Sequence, residues 1–322
     1  MRKIVTLLLC LWLAAAPAGA VSVLVDGVPL ESDIDPVVIN STTYVPLRAV
    51  TEALREDAVV TWEGQAVVRA GSDLELTAAP GAIYLEANGR ALYIADGVQA
   101  AYGRVLVPVR VLAKAMDAQV DWDGGSRTVS LTSGAGAIES ASVYYKEDEL
   151  YWLSRIISAE SRGEPLLGKI AVGNVVLNRV AHSEFPTTIY GVIFDDRWGG
   201  QFEPVSNGTI HQTPTEESVL AARLVLDGAD AAGDSLYFLA PALTSNHWIM
   251  ENRTFVLRIG APWFYGRRRA GQKTPYVPSA PPEFPVVRLL LRKRKKNFFN
   301  FQFEISGSYI LMTFSSIKQD KK

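Results

Sequence analysis

Sulfur and imidazole are scarce in this chain of 322 residues, which has one cysteine, Cys10, and three histidines, His182, His211 and His247. Cys10 lies in an N-terminal apolar run, so the rest of the chain has no thiol for a disulfide, a nucleophile or a sulfur-bound metal. The histidines show no zinc-ligand spacing with a third donor, and neither a metal nor a cofactor is expected. A strong charge of one sign is also lacking: 32 Lys and Arg stand against 34 Asp and Glu, a net charge of -2. Residues 267–322 hold 13 of those bases and three of the acids, leaving an acidic body upstream. Nucleic acid is therefore excluded as a partner of the body. No apolar run reaches the roughly 20 residues of a membrane span. The run at 4–16 follows Arg2-Lys3 and precedes Ala18-Gly19-Ala20, the pattern of a secretory signal peptide over 1–20 and hence of an exported protein. With 48% hydrophobic and 20% charged residues the chain can bury a core, and its length suggests two domains.

Self-similarity organises the first half. Val45-Pro46-Leu47-Arg48 is echoed 62 residues on by Val107-Pro108-Val109-Arg110, and Asp26-Gly27 by Asn88-Gly89 at the same offset. Trp62 finds Trp122 after a two-residue deletion. Asp-Gly and Asn-Gly between alternating runs read as tight hairpin turns. Helical apolar spacing follows each Val-Pro-x-Arg, so each unit is strands, one short helix, then strands. Over residues 21–134 this pattern resembles the copper amine oxidase N-terminal-like domain, a spacer or wall-binding module. Copper would need clustered histidines and the module has none. Arg48, Arg110, Trp62 and Trp122 are expected to close the core of each unit. Small residues at 132–137 point to a flexible linker over 135–146.

The second half, 147–266, reads as helices with short strands, so the chain as a whole is α+β. Leu150, Leu153, Ile157 and Glu160 share one helix face at spacings of three, four and three. A carboxylate ending an apolar stripe can be desolvated and kept protonated, as a general acid requires. An exposed glutamate before a capping Gly163 is the competing reading. A second helix starts at Pro165, with Asn174 and Asn178 expected to tie loops to it. Thr213-Pro214-Thr215-Glu216 predicts a third, capped by Thr213 and running to Leu226. Strands are expected near 235–238 and 254–259.

The blocks Ala159-Glu160-Ser161-Arg162-Gly163-Glu164, Gly168-Lys169-Ile170-Ala171-Val172, Val176-Leu177-Asn178-Arg179-Val180 and Gln201-Phe202-Glu203-Pro204-Val205-Ser206-Asn207-Gly208 resemble the spore cortex-lytic (SleB-type) cell wall hydrolases. Leu236-Tyr237-Phe238 and Ile259-Gly260 extend the likeness over about 148–266. The resemblance implies a lysozyme-like, mainly helical catalytic domain with short strands. It would cut peptidoglycan glycan strands between N-acetylmuramic acid and N-acetylglucosamine, with Glu160 as general acid and base. It further implies lytic transglycosylation to a 1,6-anhydro-muramic product, and a secreted, cell-wall or spore-associated location. The alternatives are a hydrolytic muramidase or glucosaminidase with a second carboxylate, from Glu164, Asp195, Asp196 or Glu203, and a non-catalytic wall-binding protein. Gln201, Phe202, Asn207, Glu164 and Tyr237 are the expected substrate-binding residues, although Glu164 also suits a cap or a pair with Arg162. The family pattern has a histidine after Ile259-Gly260, where this chain has Ala261-Pro262.

Residues 267–322 match neither resemblance. Five prolines at 275–285 favour an extended linker. The following basic cluster, from Arg292 to Lys296, suits contact with anionic wall polymers or a membrane surface, or forms a dispensable extension.

Overall fold

The computed structural model describes residues 21–197, 199–244 and 248–268, and three backbone-described strands beyond them. The expected signal peptide, the proline-rich stretch and Arg294 to Lys296 lie outside the described residues.

The first repeat folds as β1 (Ser22–Val25), β2 (Val28–Pro29), β3 (Val37–Ile39), β4 (Thr42–Pro46), α1 (Leu47–Leu54), β5 (Val59–Trp62) and β6 (Ala66–Ala70). After β7 (Leu74–Ala78) the series returns as β8 (Tyr84–Ala87), β9 (Arg90–Tyr93), β10 (Gln99–Ala101), β11 (Arg104–Pro108), α2 (Val109–Ala115), β12 (Gln119–Asp123) and β13 (Thr128–Thr132). Both expected turns form: Asp26 and Gly27 take φ 50° and 80°, Asn88 and Gly89 take 50° and 76°. Two successive residues with positive φ match the right-handed strand twist, which is why Asn or Asp followed by Gly occupies them. Neither repeat closes alone. β13 pairs in parallel with β1, giving the order β12-β13-β1-β2, and the first repeat's last hairpin reaches the second repeat's first through β7 in β5-β6-β7-β8-β9. At the centre β4 runs antiparallel to β11 with Val45 opposite Val107, Pro46 opposite Leu106 and Tyr44 opposite Pro108. Equivalent residues therefore face each other across a local two-fold axis. One core serves both repeats, from Val23 and Leu47 to Leu112 and Leu131. The four repeated side chains do not close it: Trp62 and Trp122 are 63% and 46% exposed, and Arg48 and Arg110 are also exposed.

The second half is α3 (Ala141–Tyr144), α4 (Glu147–Ser161), α5 (Leu166–Val180), α6 (Ile189–Ile193), α7 (Glu203–Ser206), α8 (Glu216–Leu226), β14 (Tyr237–Leu239), α9 (Trp248–Asn252), β15 (Thr254–Arg258) and β16 (Trp263–Gly266). Helix α5 is apolar on most sides because α4 and α8 both pack on it. The three meet at Gly173, where an added Cβ would sit 2.9 Å from both Ile157 and Val225. As expected, Asn174 donates to Ala229 O at 2.6 Å and accepts from Ala231 N at 2.9 Å, and Asn178 donates to Gly233 and Ser235 carbonyls. The cap of α8 is Thr215, whose hydroxyl accepts from Ser218 N at 3.2 Å, and not Thr213. Thr215 lies directly before the first helical residue, where the side-chain oxygen reaches the free amide of the first turn. The sheet β14-β16-β15 holds, beside the two expected strands, a third, β16, between them.

The 135–146 stretch is packed. Ile138 is buried and donates its amide to Ala115 O, Asn88 donates to Ile138 O at 2.8 Å, and Ala141 N donates to Asn88 O. Small residues here permit close approach to the module instead of freedom. The joint is held by Asp227, at the end of α8, whose side chain is fully buried. It accepts a fork from Arg90 on β9, the Tyr145 hydroxyl, and Lys114 Nζ of α2 at 3.3 Å. Ala91 belongs to the helical core, with Tyr84 and Tyr93 packed against it. Residues 272–322 form a separate unit containing an antiparallel sheet of β17 (Arg288–Lys293), β18 (Phe298–Ile305) and β19 (Ser308–Ser315).

Removing one partner of a buried ion pair strands the other charge without water. Asp227→Ala is expected to lower unfolding stability by about 3 to 5 kcal/mol in denaturant titrations. Glu52→Ala, which breaks the exposed Arg48–Glu52 pair, should stay within about 1 kcal/mol of the parent.

Candidate active site

The last turn of α4 carries Glu160. Leu153, Ile156 and Ile157 anchor the helix in the core, so the turn ends half-buried at the surface. Glu160 opens on a hollow of about 320 Å³ lined by Arg162, Glu203, Asn207, Thr209 and Gln212. Burial pushes its carboxyl up from 4.5 to about 7, the Glu203 charge adds to the rise, and the Arg179 guanidinium opposes it. At neutral pH the group is thus divided between acid and carboxylate, as a residue that both gives and takes a proton must be.

Arg179 had no role assigned from the sequence. It projects from α5 into the protein, 5% exposed, with its Nε donating to Leu236 O at 2.8 Å and its Nη1 left without a partner. Its guanidinium lies 5.1 Å from the Phe202 ring, 5.2 Å from Phe185 and 5.6 Å from Tyr237. Burial lowers its pKa to about 10, against the pull of Tyr237, Asp195 and Glu160, so it remains a cation at neutral pH. Its place in the Val176–Val180 block, as a basic residue of a largely apolar helix, was the sequence signal for it.

Glu203 and Asn207 share the hollow of Glu160. Asn207 Oδ1 accepts from the Thr209 amide and hydroxyl at 3.0 and 2.7 Å, which fixes its ring-like turn at the rim. Gln201 and Tyr237 line a second hollow of about 570 Å³, together with Phe185, Trp248 and Arg253. Because Gln201 and Glu203 flank one residue, a single segment borders both hollows. Phe202 between them is buried under Arg179 and offers no open face to a sugar, contrary to expectation. Alternation along an extended segment explains this: with Gln201 and Glu203 turned outward, the residue between them turns in. Glu164 does not border either hollow. Its Oε2 accepts from Ala261 N at 3.1 Å and its carbonyl accepts from Lys169 Nζ, so it pins the turn after β15. The charge that would have bound substrate is spent on that backbone amide. Among the possible second acids, Asp195 is locked by Arg197 at 2.7 and 2.8 Å, which holds its carboxyl below the usual range. Only Glu203 borders the hollow with Glu160. Among the described residues no group of three or more His, Cys, Asp or Glu side chains could hold a metal ion, and the repeat module lacks the histidines that copper requires.

Fold and site together define a class: a helical domain presenting one desolvated carboxylic acid to an open, polar hollow, joined to a duplicated β-rich module. Comparison with known proteins agrees with both parts. Residues 163–265 match the Cell Wall Hydrolase family model and residues 24–131 the Copper amine oxidase N-terminal domain model. The first of these matches begins three residues after Glu160. A spore cortex-lytic enzyme of Bacillus cereus is 37% identical over 116 residues, which are 36% of this chain and 43% of that protein. The chain therefore spans less than half the length of that relative. The cell wall hydrolase CwlJ of Oceanobacillus iheyensis is 34% identical over 107 residues, 31% of this chain and 74% of that protein. The solved catalytic domain of the germination-specific lytic transglycosylase SleB from Bacillus anthracis is 36% identical, with 38% of this chain and 96% of that chain covered and a TM-score of 0.35. The chain belongs to the cell wall hydrolase family.

A carboxyl whose pKa is raised by folding binds its proton more tightly in the native state. Its contribution is complete below pH 4.5 and is lost as pH rises through about 7. Glu160→Gln, neutral at every pH, should leave the melting temperature unchanged at pH 4 and raise it at pH 8, by at most about 3 kcal/mol of stability. Thermal unfolding at the two pH values checks this.

Proposed function

We propose that the chain is an exported peptidoglycan-lytic enzyme that cleaves the glycan backbone between N-acetylmuramic acid and N-acetylglucosamine, with Glu160 as general acid and then general base. One observation carries the reading: a carboxyl held near 7 by burial, in the wall of an open hollow with amide and hydroxyl neighbours. The protonated Glu160 gives its proton to the glycosidic oxygen as the bond from C1 breaks and positive charge develops at C1. Arg179 stabilises the carboxylate so formed without neutralising it, since it lies within electrostatic reach but makes no ion pair with it. In the transglycosylase route the 6-hydroxyl of the same muramic residue attacks C1 and returns its proton to Glu160. The product is a 1,6-anhydro sugar, and no water is consumed. Gln201, Asn207 and Tyr237 bind the glycan on either side of the acid, and Tyr237 takes the aromatic part that buried Phe202 cannot. The name of the Bacillus cereus relative, a spore cortex-lytic enzyme, favours spore cortex as the source of the strands.

Glu203 supports a second reading, hydrolysis, because it lies in the same hollow and its carboxylate has no hydrogen-bond partner among the described residues. The two routes are separated by product mass and by the roles of the two acids. Glu160→Gln should reduce muropeptide release from purified sacculi by about 100-fold or more. Activity should fall as pH rises through 7, where Glu160 loses its proton. Under transglycosylation Glu203→Gln keeps activity and moves this fall to lower pH, since one neighbouring negative charge is removed, and fragments are lighter by one water than reducing ends. Loss of activity in Glu203→Gln with reducing-end products would replace the first route by the second. Undiminished lysis by Glu160→Gln would overturn both.

A further inference from the structure

The duplicated module has two hollows built on repeat-equivalent residues. The first, about 560 Å³, is lined by Arg48 from the start of α1, Val60 and Trp62 from β5, and residues 103–105 from the hairpin of the other repeat. The second, about 360 Å³, is lined by Arg110 from the start of α2, Val120 and Trp122 from β12, and residues 41–43 from the opposite hairpin. The arginine, the valine, the tryptophan and the three hairpin residues of one each have a repeat-equivalent in the other, whereas Glu31, Asp33 and Glu52 line only the first and Arg127 only the second. An indole of this size normally covers 150–250 Å² of core, yet at both equivalent positions it stands open to solvent. Duplicated packing residues would be buried twice; these are exposed twice.

The polar groups indicate what the indoles face. In the second hollow the Arg110 and Arg127 guanidinium groups have no hydrogen-bond or ion-pair partner among the described residues, no carboxylate is among the lining side chains, and Ser41, Thr42 and Thr43 supply hydroxyls. In the first, Arg48 is held by Val60 O at 2.8 Å and by Glu52, and Arg104 by Asp33. An open aromatic face beside a guanidinium and hydroxyls fits a pyranose ring with a carboxylate close by: the apolar sugar face stacks on the indole, and the carboxylate, in peptidoglycan that of the attached peptide, meets the cation. Two like sites on one rigid body fit a ligand that repeats along its length, because binding the first unit raises the effective concentration of the next.

We propose that the module is a two-site binder of peptidoglycan glycan strands, with Trp62 and Trp122 as the stacking platforms and Arg110 and Arg127 as the carboxylate-binding groups of the second site. The choice of polymer rests on the wall-lytic reading; the two sites themselves do not. The test is co-sedimentation of the full chain carrying Glu160→Gln with purified sacculi stripped of teichoic acid, so that association is read without digestion. Trp62→Ala and Trp122→Ala should each weaken binding about tenfold, and the pair together by more than either alone as the two-site gain is lost. Trp62→Tyr with Trp122→Tyr should keep much of the binding, and the melting temperature should stay that of the parent because both side chains are exposed. Parental sedimentation by a folded double-alanine variant would overturn the proposal, as would parental binding that disappears when teichoic acid is stripped. If Glu160→Gln proves fully lytic the catalytic reading fails, while loss of sedimentation in the tryptophan variants would still establish the two sites.

Discussion

Withholding water from one carboxyl is the constraint around which the helical half is arranged. Glu160 is poised near neutrality because α4 is pressed onto α5 and α8, and that approach needs the bare backbone of Gly173 where the three cross. The same burial would overshoot without a counterweight. Arg179 provides it, near enough for its charge to lower the cost of the carboxylate, with no ion pair between the two among the described residues. A cation buried with one nitrogen unpartnered is costly, and the three aromatic rings around it offset part of that cost through their negative faces. Packing, glycine placement and buried charge thus converge on one proton.

Much of this was legible in the residues themselves, where a local rule had one outcome. The α+β class, the hairpin turns at Asp26-Gly27 and Asn88-Gly89, the tying role of Asn174 and Asn178, and the apolar stripe leading to Glu160 all follow from periodicity or from the need to satisfy buried amides. Where two outcomes shared one pattern, the sequence was silent or misleading. A Trp repeated at equivalent positions suits a core as well as a surface, and only the cross-paired topology decides for Trp62 and Trp122. Small residues at 132–137 suit freedom as well as close packing, and the buried Ile138 beside them decides for packing. Phe202 and Glu164 carried the right chemistry for a cleft, but chain direction turned one inward and a free amide at Ala261 claimed the other. Arg179 could not be assigned without knowing which face of α5 meets the aromatic cluster.

The module and the helical domain are not beads on a thread. Asp227 gathers a guanidinium, a phenol and an ammonium from three separate segments at the seam, and Ala91 reaches across it into the helical core. The module therefore stands in a fixed geometry to the hollow beside Glu160, with no slack in the connecting stretch. The duplication serves the same end: repeats that complete each other's sheets cannot pivot independently.

The parallel pairing of β1 with β13 has a mechanical meaning. The chain enters the module at Ser22, opposite Thr128, and leaves past Leu131, opposite Val25. A tug between entry and exit slides these strands along one another, so every rung of the ladder is strained together instead of being peeled one at a time. Such a clasp is strongest against a force applied between the two ends of the module.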